Sequence, residues 1–158
     1  MVTMLAPLEI GICCRNLERL MQFYVRTLGC ELISVIEVPA EKARALSVSR
    51  LGYKVARVEL PTGERLKFLE PGETPQSPSE FDLILDRQNR TYLTFIVDDL
   101  QDVFVQLQAE ADVEIVTGPT PIEVRSGVTV FFAKDPEGNL IEFVEYEDIV
   151  SYRPAHPA

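Results

Sequence analysis

The sequence predicts an α+β fold built from two βαβββ modules. Two internal repeats and the alternation of apolar with polar residues around them point to it. PTGERLKFLEP from Pro61 matches PEGNLIEFVEY from Pro136. Pro61/Pro136, Gly63/Gly138, Leu66/Ile141, Phe68/Phe143, Leu69/Val144 and Glu70/Glu145 fall at one constant offset of 75 residues, which puts Lys67 and Glu142 in the same slot. LEIGICCRNLERLMQFY from Leu8 matches TYLTFIVDDLQDVFVQL from Thr91 at an offset of 83, pairing Ile10 with Leu93, Ile12 with Phe95, Leu17 with Leu100, Leu20 with Val103 and Tyr24 with Leu107.

Each element follows from its local pattern. Residues 8–14 read as a strand. The apolar positions 17, 20, 21, 24 and 28 then lie on one helical face, with Asn16 as N-cap and Gly29 just past the end. Strands are expected at 31–38, 53–60 and 65–70. The shift in offset places about eight extra residues near EKARALSVSR, Glu41 to Arg50, read as a short lid helix. The second module repeats the order: strand 91–97, helix 99–110 capped by Asp98 or Asp99, and strands 113–117, 128–134 and 139–145. The modules therefore span about 8–70 and 91–146. Proline-rich Pro71–Arg90 is read as a linker and 147–158 as a flexible tail.

A chain of 158 residues with 46% hydrophobic content suits one domain made of two halves. Its formal net charge of −10, from 25 acidic against 15 basic residues, works against nucleic acid as a partner. Three cysteines, two of them adjacent as Cys13 and Cys14, show neither disulfide-framework nor zinc spacing and are read as reduced and buried. The apolar start lacks the basic residues of a signal peptide, and no run is long enough to cross a membrane. A cytoplasmic protein is expected.

Strand parity assigns faces. Ile10, Ile12 and Cys14 face the helix, which leaves Glu9, Gly11 and Cys13 on the opposite side; Leu93, Phe95 and Val97 likewise leave Tyr92, Thr94 and Ile96. Lys67 and Glu142 alternate with Phe68 and Phe143 and are expected to share one interior.

NLERLMQFYVRTLG, FIVDDL and FFAKDPEGNLIEF, set in two βαβββ modules, resemble the vicinal oxygen chelate superfamily, the glyoxalase, bleomycin-resistance and extradiol-dioxygenase group, over about residues 8–146. The resemblance implies that the modules pair into a cupped, incomplete mixed β-barrel with helices outside. It also implies a divalent metal held at the positions of Glu9, Lys67, Tyr92 and Glu142. Metal-binding relatives commonly carry histidine where this chain has Glu9 and Tyr92, and Gln, Glu or His where it has Lys67; only Glu142 is a standard ligand. An ammonium repels a divalent ion and a neutral phenol binds one poorly, so no metal cofactor is expected. The single histidine, His156, lies beyond the last strand and is read as part of the tail.

The candidate catalytic residues are Glu142, Lys67, Glu9 and Tyr92. Lys67 would polarise a carbonyl or bind a carboxylate, Glu9 or Glu142 would act as general base, and Tyr92 would donate a proton. The bland alternative is a relic site closed by a structural ion pair. Cys13 and Thr94 by parity, and Arg44 and Arg50 in the inserted segment, are candidate substrate contacts. Cys13 lacks a histidine to activate it and equally suits a small buried hydrophobe. Asp98, Asp99 and Asp135 fit capping and turn roles.

Three functions stay open: a metal-independent isomerase, epimerase or lyase working next to a carbonyl; a noncatalytic small-molecule or antibiotic-binding protein; and an interaction domain. Extradiol dioxygenase and ordinary glyoxalase I chemistry are disfavoured for want of their ligand sets. The resemblance, together with the strand edges such modules expose, implies a homodimer.

Overall fold

The computed structural model describes residues 6–77, 83–85, 88 and 91–154. His156, residues 155–158 of the expected tail, and linker residues 78–82, 86–87 and 89–90 lie outside the described residues. The chain divides into two compact units, Met1–Glu80 and Phe81–Ala158.

Unit 1 contains β1 (Glu9–Cys13), α1 (Leu17–Gln22), β2 (Glu31–Val38), α2 (Ala40–Ala45), β3 (Tyr53–Glu59) and β4 (Arg65–Pro71). Its sheet runs β1-β4-β3-β2, with β1 parallel to β4 and the other pairs antiparallel. Unit 2 contains β5 (Leu93–Ile96), α3 (Leu100–Ala109), β6 (Glu114–Ile115), β7 (Ile122–Arg125), β8 (Val128–Lys134), β9 (Leu140–Tyr146) and α4 (Ile149–Tyr152). Its sheet runs β5-β9-β8-β6, with β7 also paired to β8 and β5 parallel to β9. The fold is mixed α+β, and neither sheet closes on itself.

The helices form where the repeats predict them, and their first turns explain a feature of the repeats. The Asn16 side chain accepts from the Arg19 amide at 3.0 Å and the Asp99 side chain from the Asp102 amide at 2.8 Å. Glu70 then accepts the amide of Leu17 at 3.1 Å, and Glu145 accepts the amide of Leu100 at 2.8 Å. The repeated glutamate at the end of each module thus binds a free donor at the start of that module's helix and ties helix to sheet.

The helix-facing side of each sheet is the core. In unit 1, Leu20, Tyr24, Val58, Leu66 and Phe68 are buried, and the Tyr24 ring lies 4.7 Å from Phe68. In unit 2, Phe131 stacks on Phe143 at 5.1 Å and meets Phe104 edge-on at 5.1 Å.

Three local features depart from expectation. Helix 17–28 is α-helical only to Gln22 and continues as a π-helical turn, Phe23–Thr27, before Gly29 at φ +70°. A fifth strand, β7, forms a hairpin with β8 across Gly127, which has φ +72°. Tyr146 and Tyr152 stack at 3.9 Å, so the chain beyond β9 folds back as α4 where a tail was expected. The lid-helix expectation corresponds to α2, and β4 runs through Pro71, the first residue assigned to the linker.

Candidate active site

The sheet face opposite the helix carries the polar side chains in both units. In unit 1 the register sets Glu9 beside Arg65 and Arg65 beside Glu59, and in the next row Gly11 beside Lys67, Lys67 beside Arg57 and Arg57 beside Ser34. Because residues in register share a face, these seven positions form two neighbouring rows on one surface. Lys67 Nζ lies 3.6 Å from Glu9 Oε2, with the two side chains 32% and 35% exposed. Arg65 bridges the first row, at 2.6 Å from Nε to Glu59 Oε2 and at 4.0 Å to Glu9 Oε1. The ammonium of Lys67 is therefore held by a carboxylate that also faces a guanidinium.

In unit 2 the corresponding face presents Glu142, opposite Thr94 on β5 and Phe132 on β8. Thr94 Oγ1 donates to Glu142 Oε2 at 2.6 Å. Tyr92 lies just before β5 and meets the Phe132 ring edge-on at 5.1 Å. Phe132 is fixed in turn by its amide, which donates to Thr117 Oγ1 at 2.6 Å. Further along, Val130 packs with Val144 and Val128 with Tyr146. A hydrogen bond with Tyr152 raises the Tyr146 phenol above its ordinary value, burial and the negative charge of Glu142 add to the rise, and Arg125 opposes it.

The structure thus brings together Glu9 with Lys67, and Thr94 with Glu142, and sets Tyr92 against the residue opposite Glu142. Arg44 and Arg50 are tied to each other, the Arg44 guanidinium donating to the Arg50 carbonyl at 2.9 Å. Cys13 lies opposite Leu69 on the predicted face but is exposed, which corrects the expectation of a buried thiol: β1 is the edge strand of its sheet. Cys14 and Cys30 are buried, and burial pushes the Cys30 thiol up to about 11, so it stays protonated and unreactive near neutral pH. Asp135, only 2% exposed, is consumed by its own turn, accepting from the amides of Glu137 and Asn139 at 2.9 Å each and from the Asn139 side chain.

Sequence reading missed Arg57, Glu59, Arg65 and Phe132. Period-two alternation contained the signal, since Arg57 and Glu59 alternate with buried Ala56 and Val58.

Each unit carries a sheet with a capped helix on one face and polar residues on the other, and this repeated module is of the glyoxalase type of α+β protein. The sequence profile of the Glyoxalase/Bleomycin resistance protein/Dioxygenase superfamily matches residues 6–143, and the chain belongs to that superfamily. No curated protein matches the chain significantly by sequence. Among solved structures, it is similar to a glyoxalase family protein from Bacillus cereus, with 17% identity and a TM-score of 0.70 over 92% of this chain and 96% of that one. It is also similar to the trypanothione-dependent glyoxalase I of Leishmania major, with 18% identity and a TM-score of 0.61 over 91% and 88%. Glyoxalase I from Zea mays gives 17% identity and a TM-score of 0.63 over 89% of this chain and 47% of that one. At these identities the likeness establishes a shared fold.

Among the described residues, no helix is long and apolar enough to cross a membrane, and no three His, Cys, Asp or Glu side chains gather as metal ligands.

Proposed function

We propose that this glyoxalase-type protein is a metal-independent isomerase, epimerase or lyase that works next to a carbonyl group of a small molecule. The observation that carries the reading is the Lys67–Glu9 pair: a fixed ammonium stands 3.6 Å from a carboxylate on a polar sheet face. The donor set does not suit a divalent ion. Lys67 brings positive charge to one of the family's ligand positions and already engages the Glu9 carboxylate at another, Tyr92 offers a phenol against an aromatic ring, and one oxygen of Glu142 accepts from Thr94.

The roles follow from chemistry. Abstraction of a proton from carbon next to a carbonyl leaves negative charge on the carbonyl oxygen, and a positioned ammonium stabilises that charge. In this reading Lys67 supplies the ammonium, and Glu9 beside it takes the proton as carboxylate and gives it back. Reprotonation of the same carbon on its opposite face inverts it, return to the neighbouring carbon isomerises the substrate, and loss of a leaving group makes the reaction a lyase. Three thiols suit a reducing cytoplasm, and a homodimer covering the exposed strand edges is part of the proposal; light scattering that gives a monomer at micromolar concentration would remove that part.

The test is solvent deuterium incorporation into carbonyl compounds bearing an adjacent C–H, with chelator-treated protein. The reading expects incorporation that survives chelation and falls at least 100-fold in Lys67→Met and in Glu9→Gln. Incorporation that appears only on adding a divalent ion would overturn it. A second reading, noncatalytic binding of a small molecule or antibiotic, draws on the Thr94 hydroxyl already bonded to Glu142, which engages one of the two carboxylate oxygens. It expects saturable ligand binding with no exchange.

A further inference from the structure

In the second row of unit 1, two cations stand directly opposite each other. Arg57 on β3 and Lys67 on β4 are in register, and a directly opposed pair sets Cβ atoms about 5 Å apart, an arrangement that destabilises a sheet when the charges are alike. Glu9 compensates Lys67 at 3.6 Å, and Arg65 is taken by Glu59 and Glu9. Arg57 is half-buried, and among the described residues its guanidinium makes no ion pair or hydrogen bond. A guanidinium of this kind retains five directed donors suited to two oxygens of one planar or tetrahedral anion.

The surroundings leave room for such a group. Gly11 flanks Lys67 on the far side from Arg57, and a Cβ built there would meet only Leu69 Cδ1, at 3.4 Å. Ser34 flanks Arg57 on β2 and offers a hydroxyl from the same row. The row that holds Arg57 and Lys67 carries no carboxylate, in a chain whose formal net charge is −10; Glu9 and Glu59 lie in the neighbouring row.

We infer that Arg57 and Lys67, with Ser34 beside them and the open flank at Gly11, form a binding site for an oxyanion group, a carboxylate or a phosphate, borne by the substrate. The inference rests on the reading of Lys67 given above and narrows it: the carbonyl compound is an anion. Arg57 fixes the charged group, and Lys67 is shared between that group and the neighbouring carbonyl oxygen, as suits a 2-oxo acid or a phosphorylated carbonyl compound.

The experiment follows the arginine Nε–Hε resonances of the full chain at low ionic strength while inorganic phosphate or, separately, acetate is added against chloride at matched ionic strength. A saturable shift of the Arg57 resonance is expected. Tighter phosphate binding assigns a phosphate group, and tighter acetate binding a carboxylate. Arg57→Gln and Gly11→Val should each weaken binding at least 10-fold. Arg57→Gln removes a like-charge opposition and should keep a Tm equal to or above that of the unsubstituted protein, which separates lost binding from lost folding. Absence of a saturable shift with both anions, or unchanged affinity in Arg57→Gln, would overturn the site. Deuterium incorporation distinguishes the two readings. Anion binding without exchange retains the site and removes the reaction. Exchange whose KM for pyruvate is unaltered in Arg57→Gln retains the reaction and removes the site.

Discussion

Glu9 and Lys67 illustrate how strand parity becomes chemistry at the level of single residues. Both lie on the helix-distal side of their strands, two residues out of register, and a long side chain spans that diagonal to bring Nζ to 3.6 Å from the carboxylate. Because each side chain is about one third exposed, water screens the pair and its worth to stability is modest, roughly 0.5–1 kcal/mol. A double-mutant cycle on unfolding free energy with Glu9→Gln and Lys67→Met should return a coupling of about that size. Additive effects would show that the two charges do not sense each other in solution. The faces of these residues were legible from alternation alone. The roles of Arg57 and Arg65 were not, because a single strand shows which side a residue faces but not which charges lie across from it. Register supplies that, and register depends on pairing between segments far apart in sequence.

At the level of elements, the matched glutamates Glu70 and Glu145 account for much of the repeat. Each sits at the end of a module's last strand and accepts the first amide of that module's helix, so strand and helix are joined by a charge-assisted bond where the helix dipole favours a negative group. Glu70→Gln and Glu145→Gln should each cost about 1–2 kcal/mol in chemical denaturation, with Asn16 and Asp99 still capping their helices. Loss below a few tenths of a kcal/mol for both would remove the tie as a stabilising feature. Helices and long strands were legible because their apolar periods run over many residues. The β7 hairpin was not read, although IEVR alternates apolar with charged residues and the Ser126-Gly127 pair marks a two-residue turn, because four exposed residues make too short a run to stand out. The π-helical turn was equally hidden: widening by one residue at Phe23–Thr27 keeps Phe23 and Tyr24 buried and leaves the apolar spacing of a helix almost unchanged.

For the whole molecule, the superfamily was legible from two repeats and three short motifs, whereas the chemistry depends on substitutions within a shared frame. The resemblance implies ligand positions at Glu9, Lys67, Tyr92 and Glu142, and the local geometry gives all four other partners: an ion pair between Glu9 and Lys67, an aromatic edge for Tyr92 and a threonine hydroxyl for Glu142. We propose that the Lys67 ammonium takes the role that a divalent cation plays in metal-dependent glyoxalase-type proteins. Elemental analysis of protein purified without chelators tests it most directly. The account predicts zinc, iron, nickel and manganese all far below one equivalent per chain, with no gain in stability on adding them. One tightly held transition metal per chain, lost in Glu142→Gln, would contradict it.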